Sequence, residues 1–150
     1  MKKYKFGLRS LLNLKEQTED LLKSRLSMER EKAREISHKI TALESKKFSD
    51  INKFEKNLLQ TSNFNNITSF YEYLNSVNKH IKAYEKSLQR VEFNILKIAN
   101  ELQQASKEKK VLDRLREKEF EDYKYDMRLE EYKEVDQKNS YDYYSSNLNQ

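Results

Sequence analysis

The chain has 150 residues, 37% of them charged and 36% hydrophobic, with a net charge of +5, one Gly, and no Pro, Cys or Trp. Ala, Glu, Lys, Leu and Arg supply nearly half of the residues, the composition of coiled coils and long helices. Sheets and compact α/β units need Gly and Pro punctuation, and nothing after Gly7 supplies it, so the expected fold class is all-α.

The first predicted element runs over about 6–60. Its stripe consists of Leu8, Leu12, Lys15, Glu19, Leu22, Leu26, Glu29, Ala33, Ile36, Ile40, Leu43, Lys47, Asp50 and Phe54, at the 3- and 4-residue spacing of a helix face. Five of these fourteen positions are polar, so the seam is a poor one. A parallel stripe at Leu11, Leu14, Leu21 and Met28 widens the apolar face beyond what a two-stranded seam can bury. A turn is expected at about 60–68, where Asn63, Asn65 and Asn66 surround Phe64. Asn and Ser compete with the helix backbone for hydrogen bonds, although one continuous helix is the alternative.

The second helix is expected over about 69–138, opened by a capping box of Ser69 and Glu72. From Phe70 its seam passes through Leu74, Val77, Ile81, Tyr84, Leu88, Val91, Ile95, Ile98, Leu102, Ala105, Lys109 and Leu112. Six heptads with a single polar position are a coiled-coil signal. Beyond it the apolar residues drift to Leu115, Phe120, Tyr123 and Met127, which turns a different face outward. Residues 139–150, with Tyr141, Tyr143 and Tyr144 among Ser and Asn, lack a helical period and are expected to form a flexible tail. Two helices joined by so short a loop fold back as an antiparallel coiled-coil hairpin. The reading is therefore a single hairpin over 1–138, monomeric when free, with the second helix outrunning the first.

Composition also bounds the chemistry. Phosphate-cradling loops need several glycines. Without Cys there is no disulfide framework, thiolate nucleophile or Cys-ligated zinc. His38 and His80 have no ligand at i+3 or i+4. Carboxylate pairs such as Glu130 and Glu131 sit on solvated faces without a pocket to shift a pKa. No enzyme activity, cofactor or metal is expected. Residues 57–71, the longest charge-free stretch, are too polar to span a bilayer. Arg9 and Lys15 interrupt any signal-peptide core behind Lys2, Lys3 and Lys5, so a cytoplasmic protein without membrane insertion is expected. Residues 1–60 carry +6, 61–110 carry +3 and 111–150 carry −4, a gradient that an antiparallel hairpin partly neutralises internally. Carboxylates interleave with the basic residues, whereas nucleic acid wants an uninterrupted basic stripe, so no nucleic-acid partner is expected.

Two terminal patterns carry a resemblance. Phe6, Leu8, Leu11, Leu12, Leu14, Lys15 and Glu16 form a Phe-x-Leu followed by leucines and a Lys-Glu. Near the other end, residues 109–115 (Lys-Lys-Val-Leu-Asp-Arg-Leu) precede Glu131, Tyr132, Lys133, Glu134, Val135 and Asp136. Together with the length and hairpin layout, these resemble the FliJ family of the bacterial flagellar export apparatus, although Gln137 stands where that family usually has Glu.

The resemblance implies a soluble stalk, similar to the central-stalk subunit of rotary ATP synthases. Such a stalk inserts its paired-termini end into a hexameric flagellar export ATPase, promotes ring assembly and ATP hydrolysis, and contacts the membrane-embedded export gate. Export chaperones are further implied partners, and the apparatus would hold the protein at the cytoplasmic face of the membrane. Carried onto this chain, the ATPase contact implicates Phe6, Arg9, Leu11, Leu14, Leu115, Tyr123, Glu131, Lys133 and Asp136. The gate contact implicates Tyr73 and Val77, of which Val77 lies on the expected seam and Tyr73 beside it. The rival readings are a self-associating structural coiled-coil scaffold and a general secretion chaperone.

Overall fold

The computed structural model describes residues 3–60 and 64–149. Two helices account for nearly all of them: α1 (Arg9–Leu58) and α2 (Phe64–Leu148). There is no strand among the described residues. The helices pack against each other with opposite polarity. As numbers rise along α1 the partner's number falls: Lys39 lies over the Tyr84 ring, Lys47 donates to Asn78, and Phe54 stacks on Phe70. The expected all-α antiparallel hairpin is the observed fold.

Both seams read from the sequence are the faces that pack. All thirteen positions from Phe70 to Leu112 on α2 are buried or half-buried. On α1, thirteen of the fourteen seam positions are likewise covered, and only Leu8, at 40% exposure, is not. The core is thin, because two helices alone can shield a side chain on only part of its surface.

The chain divides into two compact units where the sequence suggests one hairpin. A helix pair makes contacts only between positions that lie opposite each other, so a long pair separates along its length. The first unit comprises residues 1–19 and 104–150. Its core holds Phe6, Leu12 and Leu112, with Tyr4 packed against them, and Ala105 is buried as well. Lys15 bonds Glu108, and Lys109 stands 3.7 Å from Glu19. The second unit comprises residues 20–103, with Leu22, Leu26, Val77 and Ile81 as its buried residues. Here the Tyr73 hydroxyl donates to Asp50 at 2.6 Å and Lys47 donates to Asn78 Oδ1 at 2.7 Å. Cross-helix polar contacts thus accommodate four of the polar seam residues of α1, and Glu29 is paired with Lys32 on its own helix at 2.9 Å.

The helix boundaries differ from the sequence reading at three places. The turn expected over 60–68 is shorter: α1 ends at Leu58, where the Gln60 N–H reaches back to the Asn57 carbonyl, and Phe64 to Thr68 already belong to α2. Residues 61–63 lie outside the described residues. Asn65 and Asn66 sit in the exposed first turn of α2. The Thr68 hydroxyl donates to the Phe64 carbonyl at 3.2 Å. Ser69 and Glu72 consequently lie inside α2 and cap nothing. Finally, residues 139–148 are helical rather than a tail. Ser145 and Ser146 donate to the carbonyls of Asp142 and Tyr143. A missing apolar period removes the reason to bury a helix face, but without Gly or Pro it does not remove the helix.

Two predictions test the seam. Leu12 is 2% exposed and Leu14 is 55% exposed. Leu12→Ala is therefore expected to cost about 2–5 kcal/mol in urea unfolding, and Leu14→Ala about 0.5 kcal/mol or less. The second concerns Glu108, whose carboxyl is held below its ordinary value of 4.5, chiefly by the hydrogen bond from Lys15 and then by that from Gln104. A depressed native pKa contributes stability above the unfolded-state value that is lost as pH falls through the native value. The melting temperature of wild type should exceed that of Glu108→Gln at neutral pH, and the gap should close as the solution is acidified below the ordinary carboxylate range.

Candidate partner interface

The N-terminal segment before α1 supplies an anchor that has no helical period. Gly7 and Leu8 turn the chain, the Arg9 N–H bonds the Phe6 carbonyl at 3.2 Å, and the Leu12 N–H bonds the Leu8 carbonyl at 2.9 Å, opening the helix. Upstream, Tyr4 lies across α2. Its ring centroid is 5.2 Å from that of Phe120 and 5.5 Å from that of Tyr123, and its hydroxyl donates to the Arg116 carbonyl at 3.1 Å. Loss of water around the phenol, followed by the nearby Glu119 charge, pushes the Tyr4 pKa up, with Arg116 opposing. An open groove of about 590 Å³ runs beside this anchor. Phe6 and Leu12 form part of its wall, together with Lys5, Arg9, Asn13, Glu16 and Arg116.

The residues implicated for the ATPase all fall within the first unit, but in three different settings. Phe6 is buried in the core, where it closes the end of the hairpin. Arg9, Leu11, Leu14 and Leu115 are exposed, the three leucines at 40%, 55% and 37%, so they offer apolar surface beside the groove-lining cation. Tyr123 is half-buried and meets Tyr4 and Phe120 through its ring. Glu131, Lys133 and Asp136 belong to a stretch of α2, residues 128–144, in which every residue is exposed. Among the described residues, none buries a side chain of this part of the helix. Leu129, Tyr132 and Val135 nevertheless stand on it, at 39%, 70% and 54% exposure.

The residues implicated for the gate lie in the second unit and face inward. Val77 is 8% exposed. Tyr73 is half-buried beside Phe70, with its hydroxyl bonded to Asp50. That bond raises the Tyr73 pKa, with desolvation and the Asp50 charge adding to it. Tyr73 therefore belongs to the interhelical contact, although it stands one residue off the seam. The exposed aromatics nearby are Phe64 and Tyr71, at 79% and 64%.

Sequence reasoning missed Tyr4 and Arg116 as site residues, and placed Phe120 only among the apolar residues that drift outward beyond the seam. Tyr4 precedes any periodic segment, and Arg116 is a charged residue four positions beyond Leu112, the last apolar position of the seam. The one available signal was the cluster of aromatic residues at the two sites. Among the described residues, no group of three or more His, Asp and Glu is placed to hold a metal ion. No helix of the described residues is long and apolar enough to cross a membrane.

Comparison with known proteins gives one result. The family model described as Flagellar FliJ protein matches residues 4–148, which takes in both helices and the Tyr4 anchor. No curated protein and no solved structure matches the chain. The matched range covers nearly the entire chain, so the protein belongs to the FliJ family and is a component of the flagellar export apparatus.

Proposed function

We propose that this protein acts as the central stalk of the export apparatus. It inserts the first unit into the hexameric export ATPase, promotes ring assembly and hydrolysis, and couples the ring to the export gate. The observation that supports this reading most is the stretch 128–144 of α2, exposed throughout. A helical stretch that the described residues leave exposed gains little stability from tertiary packing, the usual source of helical stability in proteins. The interior of a ring would supply the missing contacts. The exposed leucines 11, 14 and 115 extend that surface, with Arg9, Glu131, Lys133 and Asp136 as its charged contacts.

A stalk has no chemistry of its own. It acts by touching successive ATPase subunits differently, and only a difference in contact free energy between their conformations can shift them. The start of α2 is the proposed gate contact. Tyr73 and Val77 hold its inner face, and Phe64 and Tyr71 present the outer one. Export chaperones are proposed as further partners, and the apparatus holds the protein at the cytoplasmic face of the membrane. The self-associating scaffold needs apolar seams free to pair between chains, whereas both seams here are already covered within one chain.

The test adds the folded protein to the purified export ATPase of its own system. Ring formation and ATP turnover should rise. The double variant Leu11→Ala with Leu14→Ala should lower that stimulation about tenfold, equivalent to about 1.4 kcal/mol of contact, while its own melting temperature stays near wild type. Absence of any stimulation by folded wild type would sink the stalk reading. A stable dimer at low concentration in mass measurements would favour the scaffold instead.

A further inference from the structure

Along the whole chain, carboxylates interleave with basic residues, yet on one face of α2 they do not. With about 100° of rotation per residue, Lys79, Lys82, Lys86, Arg90 and Lys97 fall into a single line with Phe93, at spacings of three and four. The line lies in the second unit, on the side of α2 opposite its seam, and all of its residues are exposed. From residue 75 to residue 100 the face holds no acidic group. The two carboxylates of this stretch, Glu85 and Glu92, lie about 80° and 100° round from Phe93. None of the five cations has a carboxylate partner within 4.0 Å among the described residues. Phe93 stands among the cations at 69% exposure, whereas Leu96 lies about 60° round from it on the side of Glu85 and Glu92, and a shallow hollow of about 490 Å³ opens between Lys86, Gln89, Arg90 and Phe93.

We propose that this face is a docking surface for an anionic lipid bilayer. The line from Lys79 to Lys97 is about 27 Å long and forms a convex ridge, a shape that suits a broad surface rather than a cleft. Lipid phosphates pair with the cations, whose flexible stems let the charged heads reach the headgroup plane. Phe93 enters the boundary with the acyl chains, as the apolar side chains of interfacial helices do. Nucleic acid would satisfy the cations too. A lone aromatic, however, is no stacking platform for successive bases. This inference does not rest on the stalk reading, since none of its residues belongs to the proposed ATPase contact.

The chain contains no Trp, so Phe93→Trp provides a single indole fluorophore at the centre of the face. The whole chain is mixed with vesicles of phosphatidylcholine alone and with vesicles in which about a third of the lipid is phosphatidylglycerol. The protein should sediment with the anionic vesicles and not with the neutral ones, and the indole emission of the Phe93→Trp variant should shift to the blue only with the former. Binding should weaken as salt is raised. The double reversal Lys86→Glu with Arg90→Glu should lower partitioning at least about tenfold, with unchanged circular dichroism and unchanged stimulation of the ATPase. The pair Lys82→Glu with Lys97→Glu repeats the test at other positions. The proposal is overturned by equal partitioning onto both vesicles, by none onto either, or by partitioning that both reversals leave intact. Tight binding of a single-stranded polynucleotide in place of the vesicles, abolished by the same reversals, overturns it in favour of nucleic acid.

Discussion

Everything in this molecule depends on burying two narrow apolar stripes against each other with the polar positions in register. Apolar side chains at 3- and 4-residue spacing leave a helix no other way to shed water from that face. The stripes alone would tolerate a slide by one heptad, because they repeat. Lys15 and Glu19 do not tolerate it. They meet Glu108 and Lys109, and a slide of seven residues brings Glu19 opposite Leu102 in one direction and Lys15 opposite Leu115 in the other. Either slip strands a charge against a leucine, and the charge loses its partner while remaining partly desolvated. The polar interruptions that make the first seam look poor are thus what fix its register.

This explains which features the sequence made legible. The two seams could be read because periodic burial needs periodic residues. Twenty-six of the twenty-seven positions assigned to them are covered, with Leu8 outside because it precedes the first helical turn. What could not be read was whatever does not depend on burial. Residues 139–148 form helix without an apolar stripe to bury, and the lack of a stripe said only that most of them stay exposed. Ser69 and Glu72 carry the side chains of a capping box, but a box works only where the helix begins, and α2 begins at Phe64. Tyr73 is a subtler case. Its position beside Leu74 places it at the margin of the seam, and a phenol is long enough to cross that margin to Asp50. Tyr4 has no period at all, yet its ring and hydroxyl tie the N-terminal segment to α2.

For the candidate interface the balance is different. The residues named for the ATPase fall in one unit, because an antiparallel hairpin brings the start of its first helix beside the later part of its second. The sequence could not separate those used in closing the hairpin, such as Phe6, from those left exposed, such as Leu11 and Leu14. Both kinds are apolar, and only the direction of each side chain distinguishes them. A third helix would bury the exposed leucines, and the described residues form two.

The thinness of the pair has a consequence for α2. A helix in a large core packs on every face, whereas α2 packs on one. The face opposite the seam is free to carry a chemistry unrelated to folding, and in 75–100 it collects cations without carboxylates. Residues 111–150 carry the opposite sign, with eleven acidic groups against seven basic ones. An anionic surface that attracts the first stretch repels the second. A lipid contact and a protein contact would therefore draw on different residues of the same helix and need not compete. The sign change along α2, which in the sum of the chain reduces to a modest +5, would then keep two such contacts apart.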